Sequence, residues 1–171
     1  YAYIWKPNHV TKIGNSWLEK QYNIEIDREP FLATFKPTYT DQTFTLVNFH
    51  GITKDKQPET EIKYFKFMPE EYPSLKLIFC GDFNCIESHT VFNPLKKQGY
   101  TPIFTNQKTS LKDECIGEEC LASEFDNVFY NASYFEVINS GIIPFYMDFP
   151  SNHEAKKISD HVPIYFQFSF K

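Results

Sequence analysis

The stretch Leu75 to His89, LKLIFCGDFNCIESH, decides how the rest of the chain is read. It opens as a β-strand, with Leu75, Leu77, Ile78, Phe79 and Cys80 in near succession, and breaks at Gly81-Asp82-Phe83-Asn84. A short apolar run bounded by a glycine turn is the signature of a strand buried on both faces. Asp82 and Asn84, two apart, therefore stand at the mouth of a buried strand, where a carboxylate and a carboxamide need a reason to be.

The same event recurs elsewhere. TFTLVNFHG ends a strand on His50; SEFDNVFY opens one with Asp126 and Asn127; KISDHVPIYF sets Asp160 and His161 just before the last strand. A single strand-end carboxylate is ordinarily a turn residue or cap, and a lone histidine there is ordinarily a core residue bonded to backbone. Four strand ends that all carry metal-binding or proton-transferring side chains favour a site.

Strand signals are expected over Tyr1 to Trp5, Phe31 to Phe35, Phe44 to Phe49, Leu75 to Cys80, Asn127 to Tyr130, Phe135 to Ile138 and Pro163 to Phe170. A helix is expected within Pro58 to Glu71, where Ile62, Phe65 and Phe67 or Met68 fall near helical spacing behind acidic residues, and a shorter one after Ser88 through Val91, Phe92 and Leu95. Asn106 to Ser123 reads as a loop. Strands outnumber helices and their connections vary in length, so the chain reads as α+β or an α/β sandwich.

At 171 residues and 42% hydrophobic, without repeats, the chain fits one domain, 1–171. No apolar run approaches the length of a membrane-spanning helix. The net charge of −5 argues against broad electrostatic capture of nucleic acid but leaves room for a local basic patch or bound cations. Arg28 is the single arginine, and so the single planar fork for a phosphate. Cys80/Cys85 and Cys115/Cys120 form two C-x4-C pairs, at the loose end of zinc spacing; a Cys115–Cys120 disulfide, which needs an oxidising compartment, is favoured over zinc. Asn131-Ala132-Ser133 matches a glycosylation acceptor but carries little weight alone. The aromatic residues read as packing between sheets.

Carboxylates and carboxamides supply oxygen ligands suited to Mg²⁺, Mn²⁺ or Ca²⁺, and histidines supply general acids and bases. Together they fit metal-assisted attack of water on a phosphoester. His50, Gly81-Asp82-Phe83-Asn84, Phe125-Asp126-Asn127 and Ser159-Asp160-His161 occur in an order that resembles the endonuclease/exonuclease/phosphatase superfamily, most closely its deoxyribonuclease I-like branch; IDREPFLATFK resembles the segment of that branch whose arginine contacts substrate phosphate. The resemblance runs from Tyr1 to Phe170, and it implies an α+β fold, an α/β sandwich of two packed, mostly antiparallel β-sheets flanked by helices.

It implies that His50 and His161 are the catalytic histidines and that Asp126 pairs with His161. Asp82 and Asn84 would orient the phosphate and nucleophile and help hold a metal, Asp160 would be a direct metal ligand, and Arg28 would grip a flanking phosphate. Lys108, Thr109 and Ser110 match a substrate-contacting loop more softly. The implied cofactor is Mg²⁺, with Mn²⁺ or Ca²⁺ as alternatives, and the implied substrate is DNA. A phosphomonoesterase, a phospholipid-head-group esterase and an inactive binding module are the competing readings.

The superfamily's early asparagine, its glutamate metal ligand and the glutamate behind the first histidine would all lie upstream of Tyr1. The chain begins on strand-like residues without an initiator methionine. It is therefore expected to be the C-terminal portion of a domain whose N-terminal part is missing, with little activity alone. A partner chain, a swapped copy or a retained upstream segment is expected to cover the exposed sheet.

Overall fold

The computed structural model describes residues 1–171. Ten strands form: β1 (Val10–Leu18), β2 (Phe31–Pro37), β3 (Phe44–His50), β4 (Leu77–Asp82), β5 (Tyr100–Pro102), β6 (Leu111–Ile116), β7 (Glu119–Leu121), β8 (Asp126–Asn131), β9 (Phe135–Ile142) and β10 (Ile164–Phe170). The helices are single turns: α1 (Glu59–Ile62), α2 (Met68–Glu71), α3 (Asn93–Lys96) and α4 (Asn152–Ala155). None is long and apolar enough to cross a membrane.

The apolar run of β4 is explained by its place in the middle of a six-stranded sheet of order β1-β2-β3-β4-β8-β5. Leu77 and Phe79 point to one face, into a core with Leu32, Val47, Phe49, Phe129 and the crossover residues Ile62, Phe65 and Met68. Ile78 and Cys80 point to the other, where Val128 and Phe135 meet Ile164, Phe166, Phe168 and Phe170 of the two-stranded sheet β10-β9. A strand covered on both sides needs no polar alternation. β3 and β4 run parallel, and a parallel pair requires a long crossover, here the segment carrying α1 and α2. The result is the expected α+β sandwich, with the second sheet reduced to two strands.

Several local expectations are corrected. Tyr1–Trp5 forms no strand. Its aromatic rings lie on β2 instead: Tyr3 stacks on Phe31 and meets Phe35 edge-on, and its hydroxyl is 2.6 Å from the Phe31 carbonyl oxygen. The edge strand is β1, whose polar residues and central Gly14 carry little strand signal of their own; pairing with β2 makes it a strand, with a shift of register between Ile13 and Trp17. The Pro58–Glu71 helix divides into α1, a 3₁₀ turn at Phe65–Phe67 and α2, with Pro69 in the first turn of α2. Ile62, Phe65 and Met68 are buried as expected, while Phe67 is exposed. After Ser88, a 3₁₀ turn and α3 bury Phe92 and Leu95.

The predicted loop Asn106–Ser123 holds the hairpin β6-β7, closed by a Cys115–Cys120 disulfide; Cys80 and Cys85 are free thiols. Alternation there is masked because half of the β6 residues are charged and most of them are exposed. Asn131 is 8% exposed. Its amide donates to the Gln98 carbonyl and its oxygen accepts from the Ser133 backbone and hydroxyl, so this asparagine closes the β8–β9 turn.

β10 pairs with β9 and has no second partner. Next to it, Phe44 packs against Phe168 and Phe170, and beyond Phe44 lies an apolar groove of about 390 Å³ lined by Tyr3, Trp5, Val10, Phe35 and Leu46.

Candidate active site

Strand register assembles the site. Parallel pairing sets His50 beside Asp82, and antiparallel pairing sets Asp82 beside Asp126, so the ends of β3 and β4 and the start of β8 place three functional groups in a row. His161 arrives from a different layer. The loop before β10 is laced to the start of β6: Leu111 N–H donates to the Asp160 carbonyl and Val162 N–H to the Thr109 carbonyl, both at 2.7 Å. That bridge brings His161 opposite Ser110 and over Asp126.

His161 Nδ1 is 2.6 Å from Asp126 Oδ2. An ionised carboxylate only accepts, so Nδ1 carries the hydrogen and Nε2 is left facing Asp82, 4.0 Å from its Oδ2. His50 Nε2 approaches the same oxygen from the other side at 3.6 Å. The two histidines thus flank one carboxylate. Phe125 lies nearly parallel to the His161 ring, with centroids 6.3 Å apart.

Asn84 adopts a left-handed conformation, φ 49°, which asparagine tolerates better than most residues. This turn lets its backbone N–H donate to Asp82 Oδ1 at 2.9 Å while its side-chain amide donates to Asp82 Oδ2 and to the Gly51 carbonyl, both at 3.2 Å. Arg28 Nη2 donates to the same Gly51 carbonyl at 2.9 Å. A cleft of about 520 Å³ opens there, lined by Arg28, His50 and Asp82 together with Tyr1 and Asn48. A second pocket, of about 270 Å³, borders the same turn at Asn84, and its lining also includes Lys54, Ile86, His89 and Phe125.

Charge follows from this geometry. The hydrogen bond to Asp126 raises the pKa of His161; burial opposes, and the charges of Asp126, Asp82 and Asp160 assist. Burial raises the pKa of Asp82, the charge of Asp126 adds to the shift, and the Asn84 N–H and both histidines pull the other way. Oxygens of Asp82 and Asp126 and a ring nitrogen of His161 all lie within 4.8 Å of one another. Two carboxylates this close form a donor set that a hard divalent cation fits, because the cation would relieve their repulsion.

Of the residues expected from sequence, His50, Asp82, Asn84, Asp126 and His161 are brought together, and Arg28 joins them through Gly51. Asp160 stands outside the tight cluster: its side chain is exposed, and its backbone oxygen holds β6. Lys108 and Ser110 do not reach the row, but Thr109 does. Its buried hydroxyl donates to Asp126 Oδ2 at 2.6 Å and accepts the Asp126 N–H at 3.0 Å. Asn127 is structural, bonded through its side chain to both backbone groups of Phe104. Tyr1 and Asn48 also line the cleft, and nothing local in the sequence sets them apart from packing residues.

No family model matches the chain. A deoxyribonuclease of a Thioalkalivibrio species is 26% identical over 193 aligned residues, covering 98% of this chain and 50% of that protein, so the chain spans half the length of this relative. Among solved structures, an endonuclease/exonuclease/phosphatase family protein of Bacteroides thetaiotaomicron superposes with a TM-score of 0.69 at 17% identity, over 98% of this chain and 68% of that one. A mannosyl-6-phosphatase of the same organism superposes at 0.66 and 17% identity, over 97% and 69%. The chain therefore has the endonuclease/exonuclease/phosphatase fold, as its motifs implied.

Proposed function

We propose that this chain carries the catalytic centre of a divalent-metal-dependent phosphodiesterase, and that its substrate is DNA, cut internally. The observation that carries the reading is the pair of histidines flanking Asp82, one of them backed by Asp126 at 2.6 Å.

In this reading Asp126 holds the His161 ring by Nδ1, leaving Nε2 to take a proton from the attacking water; the imidazolium formed keeps its bond to the carboxylate. His50, across Asp82, assists departure of the leaving oxygen. Arg28, fixed by the Gly51 carbonyl, presents its remaining N–H groups to a phosphate beside the scissile one. Asn84 supplies a side-chain donor beside Asp82 and orients the phosphate. Asp82 and Asp126, with Asp160 from the adjoining loop and Asn84, would hold Mg²⁺ or Mn²⁺; the bound ion would polarise the phosphoryl oxygen and neutralise developing charge.

A diester is favoured over a terminal phosphate because two separate recesses border the Asp82–Asn84 turn, the Arg28 cleft at Asp82 and the Lys54–His89–Phe125 pocket at Asn84. The deoxyribonuclease relative points the same way. The free edge of β10 and the apolar groove beside it support a further element of the proposal: strands from a longer polypeptide, a partner chain or a swapped copy complete the second sheet.

The test is nicking of supercoiled plasmid in Mg²⁺ or Mn²⁺, by the chain alone and by any longer polypeptide that carries it, each beside its His161→Ala variant. Cutting that needs the ion and disappears in the variant supports the reading. Failure of every form to cut plasmid, with turnover of small phosphomonoesters instead, would overturn it in favour of the monoesterase.

A further inference from the structure

Glu61 is 2% exposed, on α1, and nothing in the chemistry above uses it. Its two oxygens accept backbone N–H groups from two separate segments: Oε1 from Asp27 at 2.7 Å and Oε2 from Ile52 at 3.0 Å. Asp27 immediately precedes Arg28, and Ile52 lies two residues past His50. Between them is the Gly51 carbonyl, which accepts from both Arg28 and Asn84, while Gly51 N–H donates to the Asp82 carbonyl at 2.9 Å. A β carbon on Gly51 would sit 2.9 Å from the Phe83 carbonyl oxygen, so this junction has no slack.

The choice of residue is informative. A buried carboxylate is costly to desolvate, and the chain retains one here. Both groups facing it are donors, and among neutral side chains of similar length glutamine would turn an N–H₂ toward one of them.

We propose that Glu61 is a positioning residue that clamps the Arg28 segment against the end of β3, and so sets the guanidinium relative to His50 and Asp82. Its consequence for turnover rests on the proposed function, in which Arg28 holds a substrate phosphate; the clamp itself does not.

The chain contains one arginine, so its Nε–H signal in a ¹⁵N NMR spectrum is assigned without ambiguity. The heteronuclear NOE of that signal is compared in the wild-type chain, Glu61→Gln, and Thr34→Val. The last removes a buried hydroxyl pair between β2 and β3, Thr34 with Thr45, five residues along β3 from His50. The expected result is a rigid Arg28 side chain in the wild type and in Thr34→Val, and a mobile one in Glu61→Gln. In whichever form cuts plasmid, KM for a short DNA duplex rises roughly tenfold to a hundredfold in Glu61→Gln with a smaller change in kcat. Adding Glu61→Gln to Arg28→Ala then costs little more.

An unchanged Arg28 signal in folded Glu61→Gln, or equal loosening in Thr34→Val, overturns the inference. Should Glu61→Gln not fold, Glu61→Asp, which keeps the charge but falls short of one amide, is measured with the same two outcomes. Absence of any phosphodiesterase activity would count against the proposed function while leaving the NMR comparison to decide the clamp.

Discussion

One oxygen of Asp126 serves two residues from different parts of the chain: Oδ2 lies 2.6 Å from His161 Nδ1 and 2.6 Å from the Thr109 hydroxyl. The carboxylate is held from below while it holds the imidazole above. A group so fixed can orient a ring and stabilise its charged form without itself changing position.

With divalent ions removed, His161 should titrate above the ordinary histidine value of 6.5, and Asp126→Asn should bring it down. The native state binds this proton more tightly than the unfolded chain does. The stabilisation is therefore fully present below the unfolded-state value and is lost as pH rises through the raised native one. Histidine ring NMR signals, assigned with His161→Ala, and urea unfolding across that range check the shift and the trend. A midpoint at or below 6.5 in the native protein would sink the claim.

Thr109→Val should destabilise the protein by about 1–3 kcal/mol, because it leaves the part-buried Asp126 N–H without the hydroxyl oxygen and strips one donor from the carboxylate. Thr109→Ser keeps both bonds and should lose far less. Denaturant midpoints at constant m-value separate the two; a loss in Thr109→Val no larger than that in Thr109→Ser would overturn the claim.

Gly81→Ala should be among the most damaging single changes in the chain, at roughly 4 kcal/mol or more. Gly81 has φ +135°, and a β carbon there would run into the Phe49 carbonyl of the neighbouring strand. Relief requires β3 and β4 to part at the point that sets His50 beside Asp82. Circular dichroism melts and the soluble yield report on this; a near-native melting temperature would contradict it.

Mg²⁺ or Mn²⁺ should raise the melting temperature, by an amount equivalent to about 2.7 kcal/mol when the ion is at a hundred times its Kd. Asp82→Asn should abolish most of the gain. Because burial raises the pKa of Asp82, the ion must compete with a proton there, and the gain should shrink as pH falls into the acid range. A thermal shift that is unchanged in Asp82→Asn would place the ion elsewhere.

The local pattern of the chain determined its central strand, the abrupt turn at Gly81–Asn84 and the sandwich class, and singled out His50, Asp82, Asp126 and His161 as candidates, since each is written in a few adjacent residues. It misled at Tyr1–Trp5, where aromatic residues suited to a strand pack on β2 without joining the ladder, and at β1 and β6-β7, where polar or charged residues are made into strands by their partners. Only the tertiary structure decided that His50, Asp82 and Asp126 stand in one row, because register between distant strands is a property of pairs. The same holds for Thr109 at Asp126 and for Glu61 at the Asp27 N–H: a hydroxyl or carboxylate acquires its partners only through the donors and acceptors that folding brings to it, and those lie 17 and 34 residues away.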